Sequence, residues 1–336
     1  MASHSPSGSS GDLGEEPRGA DELLTKAQAG DRVALARVLS LMENGTKRGR
    51  ALARLVYRQS AEPRTVGITG APGAGKSTLT DALVTLVRKD PGATGEAARV
   101  GVVAVDPTSP FSGGAILGDR VRMQGHALDD SVFIRSMATR GQLGGLAVAV
   151  PEAIRALGAA GFALVLVETV GVGQVEVEVA GQTDTTVVVV NPGWGDSVQA
   201  AKAGLLEVAD VFVVNKADRP GAQAARRDLE QMLDMGPPRK WRPPVVETVA
   251  SEGRGVDELW SAIESHWDHL GETGLHELRR ERAARLVRRV ATATIEREVE
   301  RLCSGPEYER LVADVVAGRA DPFSAAASLV GAAFGT

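Results

Sequence analysis

The chain has 336 residues, 43% hydrophobic and 24% charged, with a formal net charge of −5, the balance of an ordinary globular protein. That charge leaves no global electrostatic footprint for nucleic acid or an anionic membrane surface, and neither is an expected partner. The one cysteine, Cys303, excludes an internal disulfide framework and a clustered thiolate zinc site.

Residues 1–18 are rich in Ser, Gly, Pro and acids and are expected to be a disordered tail. They hold no apolar core of signal-peptide length, and no stretch of the chain approaches the about 20 apolar residues of a membrane span. A soluble, cytoplasmic protein is expected. Across 19–62, apolar residues recur at helical spacing (Leu23, Leu24, Ala27; Val33, Leu35, Val38, Leu39, Met42; Leu52, Leu55, Val56), with a break at "ENG" (43–45). Two or three short helices are predicted there.

From 63 to 271 the pattern changes to β-branched runs separated by helix-length stretches. The runs are "TVGIT" (65–69), "VGVVAV" (100–105), "SVFIR" (131–135), "ALVLVE" (163–168), "TTVVVV" (185–190), "VFVVN" (211–215) and "PVVETV" (244–249). Runs without polar alternation are strands buried on both faces, so the expected class is α/β with a mostly parallel sheet. Residues 272–336 contain no strand candidate. Their longest helical stretch, 275–302, carries eight Arg and five Glu, with Leu275, Leu278, Leu286 and Val290 on one face. A solvated face opposite a packing seam is expected there rather than a nucleic-acid stripe. The five histidines are scattered; His266 and His269 stand at i,i+3 with no third metal ligand nearby.

"GITGAPGAGKSTL" (67–79) places almost no side chain where a strand gives way to a helix-spaced stretch. Bare backbone at a helix N-terminus offers a row of N–H donors, whose natural ligand is a phosphate. Gly70, Ala71, Pro72, Gly73, Ala74, Gly75, Lys76 and Ser77 fit G-x-x-x-x-G-K-[ST] in full, and Thr78 extends it. Backbone donors are expected to cradle the phosphates, Lys76 to neutralise the β and γ oxygens, and Ser77 to hold Mg²⁺.

Asn215, Lys216 and Asp218, in "VVNKAD" (213–218), form N-K-x-D after a buried run. A carboxylate can accept from guanine N1–H and N2–H together, whereas adenine presents no such donor pair, so GTP is favoured over ATP. Val249, Ala250 and Ser251 are the candidates to close off the base with backbone N–H groups; many GTPases carry Ser-Ala where this chain has Val-Ala. Asp106, Asp119 and Glu168 are the candidate metal-side acids: Asp106 and Glu168 end buried runs, where a carboxylate is costly without a cation, and Asp119 lies in a loop. The Gly171 N–H stands like the glycine of a switch that senses a γ-phosphate. Lys76, Asp106, Glu168 and Gly171 form the expected catalytic set.

Together with "VVAVDPTSPFSGGAILGDRVRM" (102–123), "RGQLGG" (140–145), "VETVGVGQVE" (167–176) and "GDSVQAAKAG" (195–204), these elements resemble the methylmalonyl-CoA mutase-associated GTPases of MeaB or ArgK type over roughly residues 20–330. The resemblance implies a P-loop NTPase fold flanked by N-terminal helices and a C-terminal helical arm through which two chains form a homodimer. It implies GTP/GDP and Mg²⁺ as ligands and slow intrinsic hydrolysis, with Gln174 as a candidate glutamine. Switch regions follow at 106–119, 168–178 and 193–202, where Asp196 and Lys202 match the family pattern. The partner it implies is an adenosylcobalamin-dependent acyl-CoA mutase, whose cofactor loading the GTPase gates and which it protects or reactivates. Pro110-Phe111 departs from the polar residues usual in relatives. Two other readings are a kinase of a transport-binding protein, which would need a phospho-acceptor site, and a non-hydrolysing scaffold, against which Lys76, Ser77, Asp106 and Glu168 together argue.

Overall fold

All seven β-branched runs become strands of one parallel sheet. A computed structural model of the chain describes residues 19–59, 62–89, 98–106, 124–126, 128–138, 146–169, 181–193 and 207–334. The strands are β1 (Arg64–Gly70), β2 (Val100–Asp106), β3 (Val132–Ala138), β4 (Leu164–Thr169), β5 (Thr185–Val190), β6 (Val211–Asn215) and β7 (Val245–Thr248). Their order in the sheet is β3-β2-β4-β1-β5-β6-β7, every pair parallel. β7 is shorter than the run that predicts it. Pro244 has no N–H to give the ladder, although its carbonyl accepts from Phe212 N, and Val249 N–H turns away to Arg254 O.

Helices cover both faces, as buried parallel strands require. The first three are α1 (Ala20–Gln28), α2 (Arg32–Glu43) and α3 (Lys47–Gln59), followed by α4 (Lys76–Lys89) and α5 (Leu146–Ala159). Asp31 caps α2 by accepting from Val33 N and Ala34 N. On one face α1–α3 pack with α5 in a cluster that includes Leu24, Leu35, Val38, Leu52 and Leu157 over Val103 and Val165. The N-terminal helices are therefore the outer cover of that face.

On the other face α4 packs beside α7 (Val256–Leu302): Leu79, Leu83 and Val84 meet Leu259, Trp260, Ile263 and Trp267 above Val66, Ile68 and Val187. α6 (Ala222–Met235) closes a smaller cluster around Phe212 and Leu229. The chain finishes in α8 (Pro306–Val316) and α9 (Pro322–Phe334). Among the described residues no helix is long and apolar enough to cross a membrane.

Two carboxylates at the N-terminal edge of the sheet hold α7 in place. α7 kinks at Gly271 (φ 55°, ψ −170°), a backbone conformation that L side chains rarely adopt. Past the kink, Arg279 and Arg282 turn inward to Asp184, which is 1% exposed, and Asp184 also accepts from Thr65 N at 3.0 Å. Burial alone would raise the Asp184 pKa; the two guanidiniums outweigh it and hold the carboxyl below its ordinary value. These two arginines of the predicted solvated face are thus core-facing.

At the second point, Asp210 accepts from Thr186 N and lies 3.4 Å from Nε2 of His266, whose Nδ1 meets Thr185 Oγ1 at 2.8 Å. Trp241 lies against the rings of His266 and His269 and donates to Asp210 O. Burial pushes Asp210 up to about 7 and His266 down to about 4. The i,i+3 histidines are packing residues at a sheet edge.

Candidate functional site

The C-terminal edge of the sheet carries the phosphate loop. β1 ends at Gly70, and residues 71–75 turn the chain into α4, whose first residue is Lys76. The helix N-terminus, with its positive dipole end, therefore faces the loop. A Cβ on Gly75 (φ 93°) would stand 2.4 Å from Asn215 Nδ2, so only glycine lets the base-reading turn approach this closely. Around Gly73 the space is open. Pro72, Gly73 and Thr78 face solvent, Ala71 is half-buried and Ala74 is buried.

Lys76 is buried, and its Nζ donates to Gly70 O at 2.7 Å and Ala71 O at 3.1 Å. The cation thus lies folded along its own loop. Ser77 Oγ donates to Glu168 Oε1 at 2.5 Å, and both residues are buried. Glu168 stands one residue before the end of β4, with Ile68 of β1 and Ala104 of β2 as its register partners. A hydroxyl and a carboxylate oxygen side by side under a helix N-terminus are the hard oxygen donors that Mg²⁺ takes, so the residues present fit that ion. Asp106 closes β2 opposite Ala138, at the same edge as Glu168. Asp119, Gly171, Gln174, Asp196 and Lys202 lie outside the described residues.

The predicted base-reading turn is bonded to the predicted phosphate loop. Asn215 Nδ2 donates to Ala74 O at 2.9 Å, and Lys216 Nζ donates to Gly73 O at 2.7 Å. Asn215 Oδ1 in turn accepts from Thr248 Oγ1 and from Ala250 N, each at 3.1 Å. Lys216 has φ 60°, the one positive value on a non-glycine among the described residues. Strained backbone of this kind gathers at ligand sites. Asp218 stands exposed beyond it.

In the loop after β7, two of the three backbone N–H groups expected to close off the base are bonded within the chain. Val249 N–H is taken by Arg254 O and Ala250 N–H by Asn215, while Ser251 is exposed. Val249 is 3% exposed, which accounts for an apolar residue where Ser is common. Sequence reasoning missed two groups here: Thr248, which orients the Asn215 amide, and the buried pair in which Thr169 Oγ1 donates to Thr69 Oγ1 at 3.1 Å. A threonine inside a β-branched run gives no signal of either role.

A sequence model described as Methylmalonyl Co-A mutase-associated GTPase MeaB matches residues 35–305. The chain belongs to the MeaB family. A relative from Pyrococcus abyssi that carries a GTPase name is 48% identical over 311 residues, which are 91% of this chain and 94% of that one. GTPase ArgK of Escherichia coli is 35% identical over 86% of this chain and 88% of its own length. A crystal structure of a LAO/AO transport system kinase superposes with TM-score 0.68 at 27% identity, over 94% of this chain and 98% of that chain. As a MeaB-family GTPase the chain takes a guanine nucleotide, in keeping with a carboxylate in N-K-x-D.

Proposed function

We propose that this MeaB-family chain hydrolyses GTP slowly on its own and serves as the GTP-dependent chaperone of an adenosylcobalamin-dependent acyl-CoA mutase, gating cofactor loading and protecting or reactivating the mutase in the cytoplasm. The observation that carries the hydrolytic part is the buried Ser77–Glu168 contact beside Lys76, since a scaffold that only binds nucleotide needs no metal-side carboxylate. The association with the mutase rests on the family.

In this reading Lys76 exchanges the Gly70 and Ala71 carbonyls for the β and γ phosphate oxygens, while Gly70 to Thr78 supply backbone and hydroxyl donors. Ser77 and Glu168, with Asp106 and Asp119, hold Mg²⁺, which when bound neutralises charge on the phosphate oxygens. Gly171 offers its N–H to the γ-phosphate. Asp218 reads the guanine edge, Lys216 lies along the ring, and Val249 to Ser251 wall the base. Residues 63–271 form the nucleotide domain and 272–336 a dimerisation region. Exposed Val287, Ile295, Val316 and Phe323 on α7 to α9 support a homodimer, because apolar side chains 54% to 87% exposed gain by meeting a second copy.

Asp218→Asn should shift preference from GTP to xanthosine triphosphate, because an amide donates to the xanthine 2-oxygen where a carboxylate only accepts. Competition binding with the two nucleotides measures it, and wild type binding ATP as tightly as GTP rejects the base assignment. The partnership is tested by GTP turnover with and without each purified acyl-CoA mutase. A roughly hundredfold acceleration, about 3 kcal/mol of transition-state stabilisation, is expected with the cognate enzyme and is blunted in Lys202→Ala and Asp196→Ala. Acceleration by none of them removes the chaperone reading.

A further inference from the structure

Away from the nucleotide edge, a cleft of about 440 Å³ runs between the arm of α7 and the core helices beneath it. Its core wall comes from Tyr57 of α3 and from Val148 and Glu152 of α5; its arm wall comes from Leu286, Val290 and Ala291. That volume is within the range of ligand pockets. Among the residues that line the cleft, Glu152 alone is charged, and the Tyr57 hydroxyl is the only other polar side-chain group.

Glu152 has no counter-charge. Its carboxyl makes no hydrogen bond or ion pair with any described residue, and its oxygens are not sealed from solvent. The charged groups around it are engaged elsewhere or stand apart. Arg155, one turn further along α5, pairs with Glu62 at 2.8 Å over the Tyr57 ring, and Glu43 pairs with Arg135 at 2.6 Å. Arg50 and Arg297 line the adjoining cavity, which shares Val148, Glu152 and Val290 with the cleft, and neither pairs with Glu152. Burial, with no cation to oppose it, pushes the Glu152 carboxyl up to about 7. Burial and the nearby Glu152 charge push the Tyr57 phenol up to about 12, so it stays protonated at neutral pH.

A carboxylate among apolar walls is costly until a cation meets it. A bare metal ion is a poor match, because one carboxylate and one phenol fall short of the six or more oxygens that hard cations take. A cation that carries its own hydrocarbon satisfies both the acid and the walls. We propose that this cleft binds a small organic ammonium ion from solution, its charged end on Glu152 and its hydrocarbon body on Val148, Leu286, Val290 and Tyr57. Because core and arm each supply a wall, the ligand would draw the arm onto α3 and α5.

The test titrates the full chain by calorimetry with 2-phenylethylamine, with 2-phenylethanol as the body without the charge and methylammonium as the charge without the body. At pH 8 saturable binding of the amine is expected, at least tenfold tighter than either control. Glu152→Gln, which keeps the shape and removes the charge, should weaken it at least tenfold while a thermal melt shows the fold intact. Val290→Trp should block it by filling the space. An alkylammonium stays charged from pH 6 to 8, so wild-type affinity should fall about tenfold on going from pH 8 to pH 6, as Glu152 takes up its proton. Residual binding to Glu152→Gln should show no such fall. No saturation by the amine, the alcohol binding as tightly as the amine, a pH-independent wild-type affinity, or variants binding like wild type would each overturn the site.

Discussion

Lys76→Ala is expected to lower GTP turnover by at least a hundredfold and to weaken GTP binding, while the fold survives. Preorganised charge at the point where negative charge develops contributes several kcal/mol to a phosphoryl-transfer barrier, and Lys76 is the cation inside the 70–78 loop. Two of its hydrogen bonds go to carbonyls of its own segment, and strands β1 and β5 beneath are held by ladder bonds that the change does not touch. Single-turnover hydrolysis, titration with a fluorescent GTP analogue and a thermal melt separate the effects. Turnover equal to wild type would overturn the placement of the phosphates.

Asp184→Ala should be the most destabilising single change at the opposite edge. It leaves the half-buried guanidiniums of Arg279 and Arg282 without their counter-charge and Thr65 N without an acceptor. Breaking a buried pair by deleting one partner costs about 3–5 kcal/mol, in addition to which one orphaned amide counts about 1 kcal/mol. A fall in Tm of about 10 °C is the expected readout, with GTP affinity of the folded protein unchanged because the loop lies at the far end of the strands. In wild type the carboxyl is held below its ordinary pKa, so its contribution is complete above the unfolded value near 3.9 and is lost only as pH falls through the lower folded value. The variant should lose that part of the acid sensitivity. A Tm within 2 °C of wild type would show that the arm is held by something else.

The contrast between the two edges shows what could be read in advance. "TTVVVV" and "VFVVN" match β5 and β6 residue for residue, because a run buried on both faces must be continuously β-branched. The G-x-x-x-x-G-K-[ST] and N-K-x-D motifs stand out in the sequence because backbone donors and a base-reading carboxylate tolerate few residue types at fixed spacing, and the structure brings the two segments into contact. Asp184 and Asp210 were not legible: each sits just before a strand, where a solvated turn acid looks the same. Arg279 and Arg282 were equally hidden among eight arginines, since inward and outward guanidiniums on one helix differ only through a distant partner. At the nucleotide edge, the rigid strand ends carry Lys76, Ser77 and Glu168 into one place, and there sequence spacing and geometry coincide.

The bonds from Asn215 to Ala74 and from Lys216 to Gly73 also bear on how fast a bound nucleotide can leave. In the proposed reading base and phosphates are gripped by two segments about 140 residues apart in sequence, and each segment is braced by the other. Dissociation by letting go of the base first loosens the wall of the phosphate cradle, and departure of the phosphates first removes the floor beneath the base. Residence time is therefore a property of the pair, and any protein that displaces the turn after β6 acts on the exchange rate of the whole nucleotide without ever touching a phosphate.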